Sequence, residues 1–160
     1  MHINITPGYD DVPSVKILFD EYTQLLADVC DKFYVYLNIQ GYDSELENLG
    51  TKYGLPCGRL YIAYAEGQAA GCIALRKLDE SSCEMKRLYV RPEHRGAGIA
   101  RQLVDIIIRD AKDIGYRHML LDTLPALKAA LQLYEDLGFY RIAPYNDSPV
   151  DDTIFMRLDL

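Results

Sequence analysis

Leu88-Tyr89-Val90-Arg91-Pro92-Glu93-His94-Arg95-Gly96-Ala97-Gly98-Ile99-Ala100 is the stretch on which the reading of this chain turns. The run up to Val90 reads as the end of a β-strand, and Arg91-Pro92 breaks it. Gly96 and Gly98 permit a tight turn, after which Ile99, Leu103, Ile106 and Ile107 recur at helical spacing. The first amides of a helix have no partner within it. They point outward and carry partial positive charge. Glycines let the backbone come close to a ligand, so the turn predicts a cradle for a phosphate or pyrophosphate. A P-loop is excluded, because no lysine and Ser/Thr follow the last glycine. A dinucleotide-binding turn fits poorly, because G-x-G-x-x-G is incomplete and antiparallel strands precede it.

Upstream of the turn, Arg59–Ala65, Ala69–Leu78 and Cys83–Val90 read as three strands joined by short polar turns, an antiparallel meander. Ile3 and Ile5 mark a first strand. Asp10-Asp11 and Pro13 open an amphipathic helix of about 20 residues carrying Val15, Leu18, Phe19, Tyr22, Leu25, Leu26 and Val29. Asp31–Gly58 is the least regular part, with a short helix expected near Ser44–Leu49. Downstream, the helix begun at Ile99 ends at Gly115. A strand, His118–Asp122, is broken by Thr123-Leu124-Pro125, and a helix follows over Ala126–Leu137. Phe139–Ala143 and Thr153–Leu158 are the last strands, joined by the polar loop Pro144–Asp152. The pattern predicts one α/β (α+β) domain over residues 1–160, a mixed, mostly antiparallel sheet with helices on its faces.

Net charge is −7, which argues against nucleic-acid binding. One basic island, Lys86, Arg87, Arg91, Arg95 and Arg101 against Glu93 alone, is instead suited to an anionic ligand. No apolar run approaches the roughly 20 residues that span a bilayer. Met1–Pro7 lacks the pattern of an export signal, so the expected location is the cytoplasm. Cys30, Cys57, Cys72 and Cys83 form no C-x-x-C pair, and His2, His94 and His118 are scattered, so no metal site is expected.

Arg95-Gly96-Ala97-Gly98-Ile99-Ala100 resembles the R/Q-x-x-G-x-G/A signature of the GNAT family of N-acetyltransferases. The strand before it and Ala130-Leu131-Gln132-Leu133-Tyr134-Glu135-Asp136-Leu137-Gly138-Phe139, which looks like that family's second signature, carry the likeness further. The resemblance is specific from Ala69 to Phe139 and suggests a small bacterial single-domain branch. It implies a GNAT-type sheet of about seven strands flanked by about four helices, with acetyl-CoA as the cofactor.

The resemblance also implies roles. Backbone groups of Leu88, Tyr89 and Val90 would line the pantetheine arm. Amides from Arg95 through Gly96, Ala97, Gly98, Ile99 and Ala100, with the charge of Arg101, would hold the pyrophosphate. Tyr134 would protonate the departing thiolate, a reasonable exchange between weak acids. Glu84, on the strand before the cradle, would take the proton of the amine, or would be locked in an ion pair by Lys86. Alternation puts Glu84, Lys86 and Leu88 on one face. An amide near Leu88 would stabilise the oxyanion. Leu127 stands where many members carry an asparagine, and that donor contact is therefore missing.

The expected acceptor is a primary amine of a small molecule, in a pocket built from Asp31–Gly58 and Pro144–Asp152. Its candidate residues are Tyr34, Tyr36, Gln40, Lys86, Tyr145 and Asn146. A protein or peptide acceptor, and a non-catalytic acyl-CoA sensor, are the competing readings. A homodimer is compatible with the sequence.

Overall fold

A computed structural model of residues 1–160 folds around a seven-stranded sheet in the order β1-β2-β3-β4-β5-β7-β6. The strands are β1 (Ile3–Pro7), β2 (Arg59–Ala65), β3 (Gln68–Lys77), β4 (Ser82–Val90), β5 (His118–Thr123), β6 (Tyr140–Ile142) and β7 (Ile154–Asp159). All neighbours run antiparallel except β4 and β5, which run parallel. The helices are α1 (Val12–Val29), α2 (Phe33–Gln40), α3 (Tyr42–Glu47), α4 (Leu49–Tyr53), α5 (Ile99–Ile114) and α6 (Lys128–Asp136). No helix is long and apolar enough to cross a membrane.

α1 starts where Asp11 accepts the Ser14 amide at 3.3 Å and proline occupies the first turn. Its apolar stripe of Val15, Leu18, Phe19 and Leu26 is buried against β2–β4 together with Leu60, Ile62, Cys72 and Ala74. α5 presents Ile99, Leu103, Val104, Ile107 and Ala111 to the opposite face of the sheet, where Ile73, Leu75, Met85 and Met119 meet them. A second glycine, Gly115 at φ 109, ends that helix in the left-handed conformation. The sheet is thus a layer between two cores, α1–α4 on one side and α5 with α6 on the other.

Asp31–Gly58 differs from the sequence reading. It folds into three short helices, α2 to α4, where one was expected. Phe33, Tyr36, Leu37, Tyr42, Leu49 and Tyr53 turn inward and close the α1 side of the sheet.

Two features of β4 position the site. It pairs with β5 only at Ser82↔His118, Cys83↔Met119 and Glu84↔Leu120, after which the two strands separate. The edge from Met85 to Val90 that faces β5 therefore has no strand partner. β4 also bulges. Cys72 lies opposite Tyr89 but Ala74 lies opposite Lys86, so Arg87 and Leu88 together oppose Ile73, and Arg87 takes φ 61. The expected alternation is corrected by this bulge. Glu84, Lys86, Arg87 and Tyr89 face α1–α4, while Leu88 joins Met85 and Val90 on the α5 side.

Candidate active site

The separation of β4 from β5 opens a cleft lined by Tyr22, Met85, Lys86, Arg87, Leu88, Leu121, Asp122 and Tyr134. At the C-terminal end of β4 the chain passes through a 3-10 turn, Pro92–His94, into the glycine turn and α5. Gly96 and Gly98 take φ 82 and φ 77, and a Cβ built on either would meet nothing within 4 Å. Side chains are thus excluded there by backbone conformation, and the ground above the turn is open. The backbone amides from Gly96 to Arg101 have no acceptor in the protein; the first helical bond is that of the Gln102 amide to Gly98. These orphan donors around a helix N-terminus fit a pyrophosphate. Arg95 braces the turn by donating its Nε to the Val90 carbonyl at 2.9 Å, while its terminal nitrogens face solvent.

Tyr134 projects from α6 into the same cleft. It is 6 % exposed, packs its ring against Phe139 and makes no hydrogen bond, yet its hydroxyl is not a sealed, orphaned atom. The hydroxyl opens into the cleft. Burial raises its pKa, so the phenol keeps its proton across the physiological range.

On the α1–α4 side, a second cleft adjoins the first and shares Tyr22, Arg87 and Asp122 with it. Leu26, Phe33, Tyr36, Leu124 and Leu127 give it apolar walls. Charged groups under it are paired. Arg87 donates to Glu45 from Nε at 2.9 Å and from Nη2 at 3.0 Å, and Lys52 adds a third bond to Glu45 at 2.8 Å. Burial by itself would raise the Glu45 pKa; the charges and hydrogen bonds of Arg87 and Lys52 outweigh it and bring it down to about 2. Gln40 accepts from Lys86 at 3.0 Å and from Arg87 at 2.8 Å.

Glu84 is 2 % exposed, and both of its oxygens are occupied. Oε1 accepts from Arg76 at 2.7 Å with Lys86 Nζ at 3.7 Å, and Oε2 accepts from the Tyr145 hydroxyl at 2.6 Å. Burial pushes its pKa up, but the charges of Lys86 and Arg76 and the Tyr145 hydrogen bond leave it lowered overall. Lys86 is pushed down to about 8, mainly by burial and then by the charge of Arg87. Asn146, in the loop before β7, donates to Asp122 Oδ2 at 2.9 Å and to the Tyr36 hydroxyl at 3.0 Å, and Tyr36 in turn donates to the same Oδ2.

Residues 22–139 match the model of the acetyltransferase (GNAT) family. An uncharacterised N-acetyltransferase of Schizosaccharomyces pombe is 40% identical over 158 residues, covering 96% of this chain and 97% of its own. This chain belongs to the GNAT family. It is an acyltransferase, in a family that draws acetyl groups from acetyl-CoA. An uncharacterised N-acetyltransferase of Dictyostelium discoideum is 31% identical with both chains covered in full. Both of these relatives are eukaryotic. Among solved structures, a GNAT acetyltransferase from Elizabethkingia anophelis with acetyl-CoA bound superposes with a TM-score of 0.62 at 22% identity, covering 99% of this chain and 98% of that one.

The two clefts and the loop beside them gather most of the residues singled out in the sequence. Leu88, Lys86 and Tyr134 line one cleft, Tyr36 and Gln40 the other, and Tyr145 and Asn146 reach in from the loop. Three residues lie elsewhere. Tyr34 is 54 % exposed on the outer side of α2, within reach of Gln24 only. The Tyr89 side chain packs on Tyr22 of α1, leaving only its backbone in the strand. Arg101 pairs with Asp105 along the surface of α5. The basic island is also largely neutralised. Arg91 is held by Glu21 at 2.7 Å and Arg87 by Glu45, which leaves Arg95 as the free cation at the turn. Asp122 and Glu45 were not foreseen, and Arg87 was read only as part of the basic island. Asp122 had a signal, as the one charge closing the apolar run Met119-Leu120-Leu121; a charge pair between β4 and the irregular segment had none.

Proposed function

We propose that the chain transfers the acetyl group of acetyl-CoA to the primary amine of a small molecule, in a ternary complex. The observation that carries this reading is the meeting of two clefts at Asp122, beside the unpartnered edge of β4. α2 and the loop before β7 roof the acceptor side through Tyr36, Tyr145 and Asn146, which favours a compact amine over an extended peptide.

When bound, acetyl-CoA supplies the thioester carbonyl that the amine attacks. The orphan amides from Gly96 to Arg101 hold its pyrophosphate, and the free edge of β4 aligns its arm toward Tyr134. An amide near Leu88 stabilises negative charge on the carbonyl oxygen. Tyr134, whose hydroxyl has no competing partner, gives its proton to the leaving sulfur. Glu84 serves as a brace for Lys86 and Tyr145, because both of its oxygens are already engaged.

The test is thiol release from acetyl-CoA with a panel of small amines and an N-terminal peptide. We expect turnover with a small amine. Tyr134→Phe lowers kcat about 100-fold, with the Kd for CoA unchanged by calorimetry. Turnover of the peptide alone would overturn the small-molecule reading, and an unchanged kcat in the variant would remove Tyr134 from the proton's path.

A further inference from the structure

Asp122 is the one carboxylate that lines the two clefts. Glu84 and Glu45 each face two cations, whereas Asp122 takes part in no ion pair. Its two hydrogen bonds, from Tyr36 and Asn146, both end on Oδ2. Oδ1 has no protein partner and is not among the sealed polar atoms, so it is open to the clefts. The residue lies past the last β4–β5 pair, Glu84↔Leu120, on the sheet face that also bears Glu84 and Lys86. It lines both the cleft that holds Tyr134 and Leu88 and the apolar one behind it.

We propose that Asp122 is the catalytic base of this enzyme: Oδ1 binds the ammonium of the acceptor and takes its proton as the amine attacks the thioester. The inference rests on the transfer reading above and assigns the step that Glu84 was expected to perform. Two protons leave the nitrogen. The ammonium first gives one to the Asp122 carboxylate, which frees the lone pair that forms the amide C–N bond; the C–S bond breaks, the thiolate takes the proton of Tyr134, the second N–H proton restores the Tyr134 phenol through solvent, and Asp122 returns its proton to solvent on product release. Tyr36 and Asn146 position the carboxylate by fixing Oδ2, so that the other oxygen stays aimed at the cleft. The apolar walls, Leu26, Phe33, Leu124 and Leu127, favour an amine on a compact apolar group.

Titratable and charged groups surround Asp122 on every side. They are Tyr22 of α1, Tyr36 of α2, Lys86 and Arg87 of β4, Tyr134 of α6 and Tyr145 of the loop. All of these tyrosines have raised pKa values and stay neutral, and the Arg87 charge is matched by Glu45. Lys86 is the neighbour that titrates near neutrality, from about 8, so its loss of charge falls on the alkaline side of the profile.

The experiment compares the wild type with Asp122→Asn, which preserves shape and leaves an oxygen for Tyr36. Thiol release is followed from pH 6 to 10 with acetyl-CoA and 2-phenylethylamine, tyramine, putrescine, glycinamide or an N-terminal tetrapeptide. CoA affinity by calorimetry and the melting temperature report on folding. The expected result is a loss of kcat/KM of about 100-fold at pH 7, with CoA affinity kept. In the variant kcat/KM then climbs tenfold per pH unit toward the pKa of the free amine, because the amine must now arrive deprotonated, while the wild type levels off. Parallel profiles, or equal rates, overturn the role of Asp122 while leaving the transfer reading intact. CoA binding without turnover of any of these amines by the wild type overturns the transfer reading, and this inference with it. Should Asp122→Asn fail to fold, Asp122→Ser is measured in the same way and judged by the same two outcomes.

Discussion

At the residue scale, the acceptor side stands on buried charge. Glu45, Arg87 and Lys52 form a nearly dry ion-pair cluster beneath the cleft, and burying such charges costs more than an exposed pair returns unless all partners are present. The Glu45 carboxyl is brought to about 2, below its unfolded value, so its contribution is complete above about pH 4.5 and is lost as the pH falls toward about 2. The shift corresponds to about 3 kcal/mol. Glu45→Gln is expected to lower stability at pH 7 by about that amount, with the difference closing between about pH 4.5 and 2. Thermal melts of both proteins from pH 7 to 2.5 check it, and a difference that stayed constant across the range would contradict it. Tyr134 was legible in the sequence because a signature surrounds it. Asp122 was less so, because a lone carboxylate at a strand end looks like any other solvated terminus. Its role depends on where Tyr36, more than 80 residues earlier, comes to rest, as their separation of 86 positions makes plain.

At the element scale, the strands and the two long helices follow from periodicity, and the structure adds little to their bounds. Two things escaped it. α2 carries apolar residues all round, Phe33, Tyr34, Val35, Tyr36, Leu37 and Ile39, with no side-chain cap, so no helical stripe stands out. The bulge in β4 turns on Arg87 at φ 61, a conformation usually marked by glycine or asparagine and here taken by an arginine whose side chain is held by Glu45. α5 makes the opposite case, where residue type decides. Gly98 at φ 77 precedes the first helical residue and leaves the amides bare. Gly98→Val strains that turn by about 1–2 kcal/mol and covers the donors. It is expected to raise the Kd for CoA about tenfold or more, as read by calorimetry, while the melting temperature moves by only a few degrees. Unchanged affinity would mean that the phosphates bind elsewhere.

At the scale of the whole molecule, the proposed function has a chain of net charge −7 binding an anion through amide dipoles and one free arginine. The other cations near the turn are already paired with Glu21, Glu45 and Asp105. Affinity for CoA should therefore respond weakly to salt. From 50 to 500 mM NaCl we expect the Kd to rise by no more than about threefold, since screening acts on separated charges far more than on hydrogen bonds in a cradle. A steep rise would show that the paired arginines give up their partners to the ligand.

The single sheet between two cores has a consequence for how such a molecule can change. In the proposed function the groups that hold the donor belong mainly to the α5 side and the end of β4, whereas those that surround the acceptor, apart from Asp122 and its neighbours on the sheet, come from α1, α2 and the loop before β7. The layer of strands works as a bulkhead. Segments on one side can be exchanged, lengthened or recoloured in sequence without being felt on the other, so one way of reading a coenzyme can be kept while the question of what is acetylated is reopened again and again.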